Sequence, residues 1–433
     1  MIRVREVRVI RCGCCRAPIA AAVLALSTLP DVASAQALPN AAAEQGAPGD
    51  PDPTAPHQGT ATPAVVEEKK QSPAVDLSVL YTAELWADAR GGIRRGTRYL
   101  DNLDVTLTVD AGRALGWQGA TLFVYGLYNN GHAFSGDLVG DAQIVSNIET
   151  GVRAARLYQA WVEQQFAGGR ASLKVGLYDL NSEFDTTNVG SLSLLSSHGI
   201  GPEFAQSGRS GPSIFPYTSL GVRGQYKAGA ITLRAALLDG VPDDPEHLRR
   251  TAIKLGLGDG ALAVAEVNWA GRLGDVTLGA WRYTARFECW SGANSRGDGG
   301  AYLVAERRLT HAGDGPGDKR GLAAFVQAGL AAPHFNRISR FVGGGLVYTG
   351  VASDGDRVGI TLAHAGFSPG YRRTAATQAV RVATAENVVE VTYRRALGAW
   401  LTVQPDLQYV VHPSGGPTRH DALVVGLRVE IGQ

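Results

Sequence analysis

Beyond its N-terminal leader the chain has no apolar run approaching the roughly 18–20 residues a membrane-spanning helix needs, which excludes a helical membrane protein. Methionine is nearly absent, and three of the four cysteines, Cys12, Cys14 and Cys15, lie in the leader. Only Cys289 remains beyond it, so no internal disulfide can form there, and its place beside Trp290 reads as a structural loop position. Neither sign of charge dominates: 41 Lys and Arg stand against 40 Asp and Glu. Nucleic acid, which needs a clustered basic field, is therefore not an expected partner. Catalytic signatures are missing too. No Gly-x-Ser-x-Gly or His-Glu-x-x-His run occurs, and His132, His198, His247 and His334 fall in loop-like segments. With no base placed beside a nucleophile, neither an enzyme nor a cofactor is expected.

The first 35 residues carry the marks of a signal peptide. Arg3, Arg5, Arg8, Arg11 and Arg16 form a basic region, Ile19 to Leu29 a short apolar stretch, and Ala33-Ser34-Ala35 a small-residue cleavage site. Cys12, Cys14 and Cys15 precede the apolar stretch, which excludes lipidation. Removing residues 1–35 deletes five arginines against Glu6 and Asp31, taking the formal charge from +1 to about −2. Residues 36–72 are rich in Ala, Pro, Gly and Gln without apolar periodicity, and read as a flexible periplasmic extension.

Residues 73–433 read differently. Val79, Tyr81, Ala83 and Leu85 alternate with Ser78, Thr82, Glu84 and Trp86, and Val105, Leu107 and Val109 with Asp104, Thr106, Thr108 and Asp110. In the last run Leu423, Val425, Leu427, Val429 and Ile431 share one face, with Gly426, Arg428 and Glu430 on the other. Side chains of a strand point alternately to opposite faces. One row can then meet lipid, and charge such as Arg428 must face inward.

Sixteen such runs, starting near residues 77, 103, 120, 155, 171, 218, 230, 261, 275, 300, 321, 341, 356, 386, 399 and 420, are joined by connections that alternate short and long. A weaker run at Thr251–Leu257 would break both the alternation and the even strand count, and is assigned to a loop. Short connections at 167–170, 228–229, 270–274, 351–355 and 396–398 alternate with long ones at 129–154, 179–217, 240–260 and 367–385. The connections at 111–119 and 310–320 are long for periplasmic turns. The expected class is all-β: a transmembrane antiparallel β-barrel of about 16 strands with short periplasmic turns and long extracellular loops, its polar interior serving as a pore. Pro405, inside the run Leu401–Val410, predicts a bulge. The oxygen-rich run Gly313–Asp318 reads as a solvated turn, and no metal is expected.

Several segments resemble the carbohydrate-selective porin family of Gram-negative outer membranes, over nearly all of residues 77–431. They are Gly91-Gly92-Ile93-Arg94-Arg95-Gly96, Gly116-Trp117-Gln118-Gly119, the stretch from Val175 through Tyr178-Asp179-Leu180-Asn181 to Phe184, Phe215-Pro216-Tyr217, and Gln404-Pro405-Asp406 followed by His412-Pro413. The resemblance implies a sixteen-stranded barrel in the outer membrane and passive, facilitated diffusion of sugars such as glucose. Small carbohydrates and outer-membrane lipid are then the expected partners, and the association state, monomer or trimer, is left open. A general diffusion pore for small hydrophilic solutes is the alternative.

Sugar recognition needs an aromatic platform flanked by charged or amide groups. On the fourth strand, Tyr158, Ala160, Val162 and Phe166 toward lipid would leave Gln159, Trp161, Glu163 and Gln165 in the lumen; Glu84 and Trp86 repeat the theme on the first. Arg90, Arg94, Arg95 and Arg98 crowd the first long connection, and Asp179, Glu183 and Asp185 open the longest one. Facing each other, these two sets would set a transverse field across a constriction. Gln404, Asp406 and Gln408 share one face and are expected in the lumen.

Overall fold

A computed structural model describes residues 73–256, 258–272, 274–310, 320–416 and 419–432. The signal peptide, the extension at 36–72 and the run Gly313–Asp318 lie outside the described residues.

Sixteen strands close an antiparallel barrel. They are β1 (Val75–Gly92), β2 (Gly96–Asp110), β3 (Ala120–Asn129), β4 (Ala154–Phe166), β5 (Ala171–Tyr178), β6 (Ser219–Ala228), β7 (Ile231–Asp239), β8 (Ala261–Gly271) and β9 (Gly274–Tyr283), then β12 (Gly299–Arg308), β13 (Gly321–Ala331), β14 (Ile338–Thr349), β15 (Arg357–Phe367), β16 (Ala385–Ala396), β17 (Leu401–Val411) and β18 (His420–Gly432). A separate hairpin of β10 (Arg286–Glu288) and β11 (Asn294–Arg296) stands between β9 and β12. The last strand closes on the first, with Glu84 opposite Arg428 and Leu85 opposite Leu427. Closure leaves no free edge, so every wall strand has neighbours for its backbone groups on both sides.

The alternation read from sequence is what the wall uses. Leu77, Val79, Leu85, Val105, Val425 and Leu427 point outward and are exposed, as on a surface meant for lipid. Glu84, Asn102, Glu390, Gln404, Gln408 and Arg428 point inward and are buried. Thr251–Gly256 forms no strand. The long connection at 111–119 holds a short helix, α1 (Ala111–Leu115). Asp110 caps its start by accepting from the Arg113 N–H, and Gly116 ends it at φ 77°.

Expectations about the wall need correction at two places. The first is the start of β2, which lies at Gly96 rather than near 103, so the supposed long first connection is the tight turn Ile93–Arg95. The ladder runs on to Asp88 opposite Gly96, and Gly91 and Gly92 at positive φ make the reversal possible.

The second is Pro405, which makes no bulge. It stays in register opposite Leu427 on β18, and the break in the ladder falls on the β16 side. There the Thr392 hydroxyl donates to the Pro405 carbonyl at 3.3 Å. A bulge occurs instead on β4, where the pairing jumps from Gln159–Tyr125 to Leu157–Gly126. Tyr158 is the extra residue, and it turns inward and is buried rather than facing lipid.

Two extracellular loops fold into the lumen. The 130–153 loop docks on Glu386, which accepts the backbone N–H groups of Ala142 and Gln143 at 2.7 and 2.9 Å. The 179–218 loop crosses to the far wall. Glu306 accepts from Thr187, Asn188 and the Val189 N–H at 2.7–3.0 Å. Glu390 accepts from the Ser193 hydroxyl and, at 2.6 Å, the Leu194 N–H. Farther along the loop, the short helix α2 (Pro202–Ala205) lays Phe204 flat on Trp281 of β9, ring centroids 4.7 Å apart. Each loop is thus held by inward-pointing glutamates that take loop donors as charge-assisted hydrogen bonds.

Candidate functional site

Between the inward loops and the β2–β4 wall an opening of about 590 Å³ remains. Asn102, Asp104, Tyr125 and Tyr158 line its wall side, and Asp179 and Asn181 line its loop side. Each wall residue is there by strand parity, save Tyr158, which the bulge delivers. Tyr125 and Tyr158 meet edge to face with centroids 4.9 Å apart, and Phe215 continues the aromatic surface 6.1 Å from Tyr158. Asp104 accepts from the Tyr125 hydroxyl at 2.5 Å and from the Asn102 amide at 2.6 Å. Asp179 accepts the Asn181 N–H at 2.8 Å. Burial pushes the Asp179 carboxyl up to about 6. The result is a polar cavity with aromatic faces and fixed acceptors.

A charged knot lies beside it. Glu183, on the 179–218 loop, receives two hydrogen bonds from Arg223 of β6, at 2.6 and 2.7 Å, and one from Lys174 of β5 at 2.9 Å. Burial alone would raise the Glu183 carboxyl, but Arg223 and Lys174 outweigh it and hold the group at about 2. Glu163 joins from β4, 3.0 Å from Arg223 and 3.9 Å from Lys174.

Trp161 faces inward with Gln159, whose side-chain oxygen accepts from the indole N–H at 3.2 Å. One face of the indole stacks on Phe123, centroids 4.9 Å apart, while the Lys174 ammonium lies 4.1 Å from its centroid. Its ring faces are engaged by protein groups, so the aromatic surface that borders the opening is Tyr125, Tyr158 and Phe215. Gln165 sits near the periplasmic end of β4 and is exposed. Glu84 and Trp86 do face the lumen but are covered by the 130–153 loop. Trp86 donates to Glu84 at 2.7 Å, Ser146 donates to Glu84 at 2.6 Å, and Arg428 reaches Glu84 at 2.6 Å. Gln404 and Gln408 likewise hold loops, donating to the carbonyls of Leu192 and Val145 at 2.7 and 3.0 Å.

The two charge sets expected to face one another do not pair among the described residues. Arg98 bridges to Asp137 of the 130–153 loop at 3.1 Å, and the turn bearing Arg94 and Arg95 is too short to reach across the lumen. The cationic partners of the acidic segment are instead Lys174 and Arg223. Asp185 is buried and accepts the Gly201 N–H at 3.0 Å. Parity could have flagged both cations, since Lys174 lies between Leu173 and Val175 and Arg223 follows Val222, each flanking residue outward and apolar.

The model of the carbohydrate-selective porin, OprB family, matches residues 94–432. Porin B of Pseudomonas aeruginosa is 24% identical over 404 residues, covering 82% of this chain and 87% of that protein. Among solved structures, the high-pH form of Pseudomonas putida OprB superposes with a TM-score of 0.74 at 21% identity, over 83% of this chain and 94% of that one. Its low-pH form gives 0.53 at 19% identity, over 83% and 93%. These two similarities bear on the fold: a closed barrel with the same architecture.

Proposed function

The chain belongs to the carbohydrate-selective porin family, and from that membership we propose that it passes small sugars of the glucose type down their gradient across the outer membrane. The observation that carries this reading is the opening walled by Tyr125, Tyr158, Asp104 and Asp179. Its volume, about 590 Å³, lies within the roughly 300–1,000 Å³ of small-molecule sites. A pyranose ring can lay its apolar face on the tyrosines while its hydroxyls donate to the carboxylates and the Asn181 side chain. Each contact replaces one with water, so the sugar is held briefly and released, as transit requires.

The charged knot of Glu163, Lys174, Glu183 and Arg223 sets how far the 179–218 loop intrudes. Gln159, Trp161 and Lys174 position that knot against the sugar path, and Asp179 stands in the path itself. Residues 1–35, with their basic region, apolar stretch and small-residue cleavage site, direct export. A general diffusion pore would need a wide lumen; two inward loops held by Glu84, Glu306, Glu386 and Glu390 favour the selective reading.

Single-channel conductance of the refolded protein in planar bilayers, titrated with glucose and a panel of sugars, tests the proposal. Saturable block by sugar is expected. Open channels indifferent to every sugar would overturn selectivity and leave a general pore.

A further inference from the structure

The fourth extracellular connection, residues 240–260, behaves unlike the two that fold inward. Its first part tucks against the mouth: Arg156 reaches the Leu248 carbonyl at 2.7 Å and lies 3.5 Å from Asp243. From Thr251 to Leu255 it runs along the outside of the barrel. The Thr251 hydroxyl donates at 2.9 Å to the carbonyl of Leu157, whose side chain points outward. Ile253 and Leu255 then stand 59% and 68% exposed. Leu255 faces the outward side chains Val175, Val222 and Leu237 across a groove of about 480 Å³.

The same loop, just before Thr251, also lines a basic hollow. Arg153, Arg249, Arg250 and His247 line a cavity of about 750 Å³ at the junction of the 130–153 and 240–260 loops. Arg153 precedes β4 in outward phase with Ala155 and Leu157, and its guanidinium lies 5.9 Å from the ring centroid of outward-facing Tyr128. Arg153, Arg249 and Arg250 are exposed, and none has a carboxylate partner among the described residues. The acid that lines the hollow, Glu246, lies 4.0 Å from Lys254.

Three exposed guanidiniums with no carboxylate in ion-pair contact among the described residues, near exposed aliphatic side chains on a lipid-facing wall, match one kind of molecule. We propose that the hollow and groove together hold a phosphorylated lipid of the outer leaflet. Its phosphates would sit on Arg153, Arg249 and Arg250, and its acyl chains would run along Leu157, Ile253, Leu255 and Val222. Guanidinium forks match phosphate oxygens in pairs, and the aliphatic side chains below extend the barrel's apolar surface for the chains. The inference rests on the barrel spanning the outer membrane, but not on which solute the lumen passes.

The test is native mass spectrometry of the full-length protein in detergent, with bisphosphorylated lipid A, phosphatidylcholine and inorganic phosphate as probes. Lipid A is expected to be retained in preference to phosphatidylcholine. The R153Q/R249Q/R250Q variant should weaken lipid A binding by at least about tenfold, since even one charge-assisted phosphate contact is worth that much. The I253S/L255S variant should weaken lipid A and leave inorganic phosphate unaffected. Undiminished lipid A binding by the arginine variant would overturn the proposal. So would displacement of lipid A from the wild-type protein by equimolar inorganic phosphate, which would mark a soluble-anion site. Glucose block, recorded in parallel, separates loss of the lipid site from failure of the sugar reading.

Discussion

Arg223 grips Glu183 through two parallel hydrogen bonds, Nε to Oε2 at 2.7 Å and Nη2 to Oε1 at 2.6 Å. One member belongs to the wall and the other to the loop that crosses the lumen, so this pair fixes the loop's entry. Arg223 is 1% exposed, and its other contacts go to Glu163 and Ser172. Deleting Arg223 leaves Glu183 with Lys174 alone, and deleting Glu183 leaves Arg223 with Glu163 alone, so the cost falls below the roughly 3–5 kcal/mol of a fully uncompensated buried charge.

Arg223→Ala should therefore free the start of the 179–218 loop without opening the barrel. Larger and noisier single-channel conductance is expected, with weaker sugar block and a lowered unfolding temperature. Quiet channels of wild-type conductance would show that the loop is held elsewhere.

Trp161→Ala should weaken sugar block while channels still form. With Phe123 on one side and Lys174 near its ring, the indole acts by holding the ammonium between itself, Glu163 and Glu183. A desolvated cation–π contact contributes about 0.5–2 kcal/mol, so affinity should fall by roughly two- to thirtyfold. Lys174→Met should produce a loss of similar size. Unchanged sugar affinity in Trp161→Ala would remove the indole from any role in the path.

Strand number, phase and loop alternation were legible because a barrel wall repeats one rule, apolar out and polar in, along every strand. That Glu84 and Arg428 both face inward follows from parity; that they meet depends on the register of the closing strands. What parity could not give was the bulge at Tyr158, since an extra residue inverts the phase locally and its cause lies in the neighbouring strand. Nor could it say which inward residues meet a loop and which meet solute. Glu84 and Trp86 read as site residues and are roofed by Ser146 and Phe134. Asp104 and Tyr125 border the opening, yet their alternating pattern looks no different. Loop docking pairs residues more than a hundred positions apart, such as Leu194 with Glu390, and no local pattern carries that information.

Glu390 and Glu306 make their own prediction. Each accepts a backbone N–H and a hydroxyl of the crossing loop, and both oxygens of Glu390 are used. In Glu390→Gln one oxygen becomes an amide that meets a donor with a donor, costing about 1–3 kcal/mol for the unmatched group. The double variant E306Q/E390Q should conduct ions faster than wild type and discriminate less among sugars. Equal discrimination would mean that the far anchors of the loop do not shape the opening.

The last prediction concerns pH. Asp185 and Glu203 both belong to the crossing loop and are buried, and both Glu203 oxygens lack a hydrogen-bond partner. Burial first, and the charge of Asp185 second, raise the Glu203 carboxyl to about 8; burial and the charge of Glu266 raise Asp185 to about 7. In acid, below the ordinary carboxylate range near 4, the groups are neutral whether the loop is docked or released, so docking carries no protonation cost. Above that range the released loop gives up protons that the docked loop must keep, and docking weakens until the pH passes about 8, beyond which it changes no further. Channel noise and mean conductance should accordingly rise between pH 5 and 9, and the D185N/E203Q variant should flatten that profile. A wild-type profile flat over the same range would show that these carboxyls stay uncoupled from the loop's position.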